Sequence, residues 1–304
     1  MEMASPEALA INEIFKAYRD SVVPDGPPPT VEQQRAGADA SMEAVGTMPD
    51  GVDVQDANAN GVPGLWITPK TASTNHVVLY LHGGGYVVQS AKSHVKLASH
   101  IAVQANSRVL SIDYRLAPEH PHPAAVTDSL AAYRFLLDSG FSADRIAISG
   151  DSAGGGLTIA TLVAARDAGL PQPAAGIPLS PWVDLEGTSE SMDSNAAKDF
   201  MVGRGALSIM ADLFIASGNK RDPLAAPLYA QLHNIAPLYI QVGGHETLLD
   251  DSTRLAANAA RAGVEVRLDV FPEMQHVFQA FVGQMPEASE AVARIGAYLT
   301  SRWS

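Results

Sequence analysis

Two short glycine clusters, His82-Gly83-Gly84-Gly85 and Gly150-Asp151-Ser152-Ala153-Gly154, carry the residue types that acyl transfer needs. The second fits Gly-x-Ser-x-Gly, a turn sharp enough to hold a serine hydroxyl clear of a strand end. A neutral hydroxyl is a poor nucleophile. Ser152 therefore needs a base within hydrogen-bond reach and donors for the charge that builds on the attacked oxygen. Gly83, Gly84 and Gly85 have no side chains to keep a carbonyl from the backbone amides, so the N–H groups of Gly83, Gly84 and Ala153 are the expected oxyanion hole. A phosphate loop would end in Gly-Lys-Ser/Thr, and none follows. His82 is read as bracing the loop rather than moving a proton.

On strand–helix scaffolds with this serine turn, the acid and then the histidine follow the nucleophile along the chain. Of nine histidines, His276 fits the base: it follows the apolar run Val266–Phe271 after a short loop and precedes the final helical stretch. His233 and His245 also lie downstream of Ser152 but lack that position. The acid belongs at the carboxyl end of the run Leu238–Val242, where Glu246, Asp250 and Asp251 compete. Acids in a first helical turn often serve the helix dipole, the plain reading of Asp250 and Asp251. Glu246 sits at the turn itself and is the favoured orienter of His276.

The elements that must position these side chains are legible as an alternation. Val77–Leu81, Val109–Ile112, Arg145–Ser149, Ile177–Ser180, Leu238–Val242 and Val266–Phe271 read as strands. Helical patterns fall between them near 95–104, 124–137, 153–165 and 248–262, with a last one near 287–301. Such a βαβ rhythm implies a mostly parallel sheet covered by helices on both faces, an α/β fold. Short alternating runs at Val52–Val54 and Gly64–Ile67 precede it. Leu9, Ile11, Ile14, Phe15 and Tyr18 recur at helical spacing over about 6–20, and the proline-rich Val23–Thr30 is irregular. The rhythm breaks from Asp184 to about Ala226 around one amphipathic stretch, Leu207, Met210, Leu213 and Phe214.

Bulk composition narrows the partners. A net charge of −13 with no Lys/Arg run argues against nucleic acid and anionic membrane surfaces. With no cysteine, disulfides and thiolate metal sites are excluded. No histidine–carboxylate cluster has metal spacing, and no cofactor or metal is expected. Residues 1–20 carry three glutamates and no basic start, so neither a signal peptide nor a membrane span is expected, and a cytoplasmic location is the default.

The His82–Gly85 loop, Asp113-Tyr114-Arg115-Leu116-Ala117-Pro118-Glu119, Gly150–Gly155 and Phe271–Phe278 occur in the order and spacing of the hormone-sensitive-lipase-like esterases. The chain resembles the bacterial branch of that α/β-hydrolase family, in the subgroup with Asp before the nucleophile. The resemblance implies an α/β-hydrolase core over 51–183 and 226–304 and a helical cap from 1–50 and 184–225. It implies cofactor-free hydrolysis of short- to medium-chain acyl esters of small molecules, and leaves room for a homodimer along a sheet edge. Asp113, Arg115 and Glu119 would then support the glycine loop. One departure concerns the acid: the family's commonest motif is Asp-Pro-Leu-x-Asp, whereas this chain reads Glu246-Thr247-Leu248-Leu249-Asp250, which puts Glu246 in the acid's place. A lactonase or deacetylase would use the same groups. A non-catalytic receptor on this fold could dispense with the histidine that His276 supplies.

Overall fold

The computed structural model describes residues 4–21, 30–73 and 75–303. Of the proline-rich stretch, all but Thr30 lies outside the described residues, as do the side chains of Tyr18 and Ser21. The core is one eight-stranded sheet in the order β1-β2-β4-β3-β5-β6-β7-β8. β1 (Val52–Ala59), β2 (Val62–Pro69) and β4 (Arg108–Ile112) pair antiparallel in succession. β3 (Val77–Leu81), β5 (Ile146–Asp151), β6 (Ala175–Leu179), β7 (Leu238–Gly243) and β8 (Val266–Phe271) continue it in parallel, with β3 also parallel to β4. The mostly parallel α/β sheet read from the sequence is the sheet observed.

Every residue of β3, β5, β6 and β7 is buried. That follows from continuous apolar runs, which only a sheet covered on both faces can use. Successive side chains alternate between two cores, as the pleat requires. Leu79, Leu81, Ile146 and Ile148 face α4 (Ala124–Asp138), α5 (Ala153–Asp167) and α8 (Leu249–Arg261). Val78, Tyr80, Ala147 and Ile177 face α3 (Val95–Gln104) and α9 (Pro286–Arg302). Each fully buried aliphatic side chain contributes about 2 kcal/mol.

The interruption of the rhythm holds α6 (Ser191–Ser194) and α7 (Arg204–Ile215), whose Leu207, Ala211, Phe214 and Ile215 are buried. Ahead of the sheet lie α1 (Pro6–Ser21) and α2 (Val31–Met42). In α1 the inward face differs from the expected stripe: Ala8, Ile11 and Phe15, with Ala4 just ahead of the helix, pack on the α9 side, while Leu9 and Ile14 face solvent at 51% and 68% exposure. The spacing of 8, 11 and 15 is the better helical face, and its alanine carries no signal beside large apolar residues. α2 was not anticipated, because none of its residues is buried and no apolar stripe marks it. A start signal was present: the Thr30 hydroxyl accepts from Gln33 N at 3.2 Å while Gln33 Oε1 accepts from Thr30 N at 3.0 Å, a capping box. No helix of the described residues is long and apolar enough to cross a membrane.

Candidate active site

β5 delivers the chain to Ser152 and α5 leaves from it, with Ser152 held at φ 54° between them. Two glycines make the turn sterically feasible. A Cβ on Gly154 would meet Leu81 O at 1.9 Å, and one on Gly150 would meet Leu81 O and Gly154 O at 2.4 Å. The Ser152 N–H is held by Leu179 O of β6 at 2.8 Å, which leaves the hydroxyl clear of the sheet.

His276 and Glu246 converge on that hydroxyl from two later loops. His276 Nε2 lies 2.9 Å from Ser152 Oγ, and His276 Nδ1 lies 2.8 Å from Glu246 Oε2. A carboxylate only accepts, so Nδ1 carries the proton and Nε2 is left to accept from the serine hydroxyl. Glu246 is fully buried, and its other oxygen, Oε1, accepts from Ser180 Oγ at 2.7 Å and Gly243 N at 2.5 Å. Burial raises the Glu246 carboxyl above the ordinary range, and donation from His276, Ser180 and Gly243 limits the rise. Burial alone would lower the His276 imidazole, but the Glu246 carboxylate outweighs it and the net direction is upward.

The competing groups are engaged elsewhere. Asp250 Oδ2 accepts from Ser191 N at 2.9 Å, and Asp251 Oδ2 accepts from the N–H groups of Val183 and Asp184 at 2.9 and 3.0 Å. His233 is exposed and His245 only half-buried, and neither bonds Ser152 among the described residues.

The glycine loop differs from expectation at one position. The Gly83 N–H faces His94 Nε2 at 3.4 Å, and Gly83 is not among the residues that line the cavity. Gly84 and Gly85, at φ +102° and +61°, line the cavity beside Ser152, and their N–H groups and that of Ala153 have no protein acceptor among the described residues. A reading of glycine spacing alone had no means of knowing which amide turns inward. His82 donates from Nδ1 to Gly83 O at 2.7 Å and stacks on Tyr114, whose hydroxyl bonds His82 O at 2.7 Å. Burial first, then the neighbouring His94, lowers the His82 imidazole to about 3. Asp113 holds Ala91 N at 2.7 Å at the far end of the same loop. Arg115 instead pairs with Asp128 of α4, and Glu119 with Arg35 of α2.

Several supporting residues escaped the sequence reading. Asn195 Nδ2 donates to Glu246 O at 2.9 Å, Asp199 Oδ2 accepts from Thr247 N at 2.8 Å, and Gln275 bonds Phe200 N and Lys198 O. The segment around α6 thus clamps the turn bearing Glu246 and the loop bearing His276. Ser180 had one signal, its place at the carboxyl end of a strand beside Ser152.

Ser152 and His276 open into a cavity of about 290 Å³. Phe15 of α1, Met42 of α2, and Leu207 and Met210 of α7 line it against Val88 and Phe281. Larger hollows of about 430 Å³ beside Arg145 and about 410 Å³ beside Lys92 touch neither Ser152 nor His276. Among the described residues no three His, Asp or Glu side chains converge as metal ligands would.

Comparison with known proteins bears on the fold and the family. A family model for the alpha/beta hydrolase fold matches residues 78–280. An acetyl-hydrolase of Streptomyces hygroscopicus is 38% identical over 98% of this chain and 97% of its own. The solved structure of an esterase from the bacterial hormone-sensitive lipase family superposes with a TM-score of 0.94 at 44% identity, covering 100% of both chains. EstE5, solved after soaking with p-nitrophenyl butyrate, superposes with a TM-score of 0.92 at 39% identity over 99% of both chains.

Proposed function

The chain belongs to the bacterial hormone-sensitive-lipase-like esterases of the α/β-hydrolase fold, and from that premise we propose that Ser152, His276 and Glu246 hydrolyse carboxylic esters through an acyl-enzyme. The observation that carries this reading is the unbroken hydrogen-bonded line from Ser152 Oγ to His276 and on to buried Glu246, at 2.9 and 2.8 Å.

In this mechanism Ser152 Oγ attacks the ester carbonyl as His276 Nε2 takes its proton, and Glu246 stabilises the imidazolium. The charge on the carbonyl oxygen is held by the N–H groups of Gly84, Gly85 and Ala153, with Gly83 outside the hole. The tetrahedral species collapses, and the alcohol leaves with the proton from His276. Water then attacks the acyl-enzyme with His276 again as base, restoring Ser152.

Helices α1, α2 and α7 form the cap, a role supported by the way all three line the cavity above Ser152. A cavity of about 290 Å³ is at the small end of the range for ligand pockets, roughly 300–1,000 Å³. It suits short to medium acyl chains, in keeping with relatives named for acetyl hydrolysis or soaked with a butyrate ester. The test is a nitrophenyl ester series from acetate to palmitate with wild type and Ser152→Ala. We expect kcat/KM to peak among the short chains and the alanine variant to lose about 10⁴-fold or more in kcat. Activity that survives the substitution removes Ser152 from its role. A preference for palmitate overturns the chain-length assignment.

A further inference from the structure

Behind the Ser152 turn lies a second histidine–carboxylate pair that the mechanism above does not use. His94 and Asp151 are both buried, with His94 Nε2 3.2 Å from Asp151 Oδ2. The surroundings of each ring nitrogen decide its proton. Ser93 Oγ donates to Ser90 O at 2.8 Å and so turns a lone pair toward His94 Nδ1, 3.0 Å away. Ser90 O lies 3.2 Å from the same nitrogen, so Nδ1 must be a donor. Nε2 faces a carboxylate whose other oxygen already accepts from Tyr80 OH at 2.6 Å. Gly83 N also lies 3.4 Å from Nε2, but the shorter 3.2 Å contact to the carboxylate takes the Nε2 proton, so both nitrogens donate and His94 is an imidazolium that does not accept from Gly83. Burial alone would lower His94, but Asp151 reverses this and the net direction is upward; burial alone would raise Asp151, but His94 and Tyr80 carry it downward.

This pair touches both halves of the reacting site. Asp151 directly precedes Ser152, and its Oδ2 lies so close to Gly83 that a Cβ there would meet it at 2.2 Å. The Gly83 N–H reaches the same edge of His94, and His94 itself lines the cavity with Gly84 and Gly85. We propose that His94, ion-paired with Asp151, is a positioning residue for ester hydrolysis that sets the glycine loop against the nucleophile turn. Because Gly83 is turned onto this pair, the next two amides are the ones presented to the cavity. The proposal rests on Ser152 being the nucleophile.

A buried ion pair contributes little net stability compared with an apolar replacement, so its value lies in geometry. Misplacement of an oxyanion donor by an ångström costs on the order of a hundredfold in rate. The oxyanion exists only beyond the ground state, so the loss belongs in kcat rather than KM. The groups facing His94 are Tyr80 of β3, His82 of the glycine loop, Asp151 of β5 and, farther off, Asp39 of α2. Of these, loss of the His94 proton at alkaline pH breaks the pair.

The experiment compares wild type, Ser152→Ala and His94→Gln on nitrophenyl butyrate across pH, with Tm measured for each. Glutamine keeps a donor toward Asp151 and removes the charge. The expected result for His94→Gln is a kcat lower by about tenfold to a hundredfold, with KM within about twofold of wild type. An alkaline fall in kcat is expected for wild type, as His94 loses its proton, and should be absent from the variant. An unchanged kcat overturns the proposal, as does a pH profile parallel to wild type with KM and Tm both impaired, which marks a merely structural residue. If His94→Gln does not fold, Asp151→Asn carries the same expectations and the same refutations. Should wild type itself lack Ser152-dependent hydrolysis, it is the ester-hydrolase reading that falls, an outcome separate from a null result with His94→Gln.

Discussion

The Ser180 hydroxyl donates to Glu246 Oε1 at 2.7 Å and accepts the Val277 N–H at 3.2 Å, so one side chain joins Glu246 to the backbone next to His276. Ser180 stands at φ 45° at the end of β6, between the strand bearing Ser152 and the strand leading to Glu246. A hydrogen bond to a buried carboxylate is worth about 1.5–3 kcal/mol. Ser180→Ala leaves Glu246 short of one donor and Val277 N–H without its acceptor. We expect kcat to fall by roughly tenfold with KM little changed. Steady-state kinetics check this, and a kcat equal to wild type removes Ser180 from the orienting role.

With His276 as the proposed base, its upward shift predicts where the acid limb of activity falls. The base must be neutral, so the limb of kcat/KM should lie above the ordinary histidine value of 6.5. In Glu246→Gln the carboxylate that raises His276 is gone while the burial that lowers it remains. The limb then moves to lower pH even as kcat drops by about 10³–10⁴-fold. A limb that stays put or moves upward in this variant contradicts the assignment of Glu246.

No residue of α2 is fully buried and only Val31, Ala38 and Met42 pack against the core, so polar anchors add to its attachment. Arg35 supplies four of them: Nε to Val87 O at 2.8 Å, Nη2 to Ala117 O at 2.9 Å, and two bonds to Glu119 at 2.9 and 2.7 Å. Glu119 is half exposed, so its ion pair adds little to global stability. Arg35→Ala should therefore loosen α2 locally, withdraw Met42 from the cavity and raise KM several-fold, with kcat and Tm near wild type. Limited proteolysis over 30–45 should quicken. A large fall in Tm without a KM effect defeats this account.

Asp251 is buried with its Oδ1 unpartnered among the described residues, and burial, with nearby Asp184 adding to it, pushes its carboxyl to about 7. The folded state then binds more protons than the unfolded one between about 4, the unfolded aspartate value, and about 7. Its contribution is fully present below that window and is lost as pH rises through it. Asp251→Asn keeps an oxygen for the Val183 and Asp184 N–H groups without a charge to bury. Relative to wild type it should gain Tm above pH 7 and show no gain near pH 4, read by thermal melts across pH. An equal shift at both ends contradicts the titration.

Much of the fold was legible because its signals are local. Val77–Leu81 and Ile146–Ser149 are continuous apolar runs that no half-exposed strand would carry, and the helices between them bear their own periodicity. β8 showed its edge position only in the structure, where Phe271 alone of its six residues is buried. α2 lacked any apolar signal, and the inward face of α1 takes Ala8 with Ile11 and Phe15 while the larger Leu9 and Ile14 face solvent.

By itself the sequence determined the chemistry available and the order in which its parts arrive. A strained turn at Ser152 and amides bare of side chains at 83–85 are written in glycine, whose conformational range acts within a few residues. Tertiary structure alone decided which amides face the cavity, which of three acids meets His276, and that Ser180 and His94 stand behind them. These are pairings across 30 to 124 positions of chain, as between Glu246 and His276 or Ser152 and His276. They exist because β3, β5, β6 and β7 lie side by side and open their carboxyl ends at one place. Hydrogen-bond partners follow that adjacency in space, which no local pattern of residues encodes.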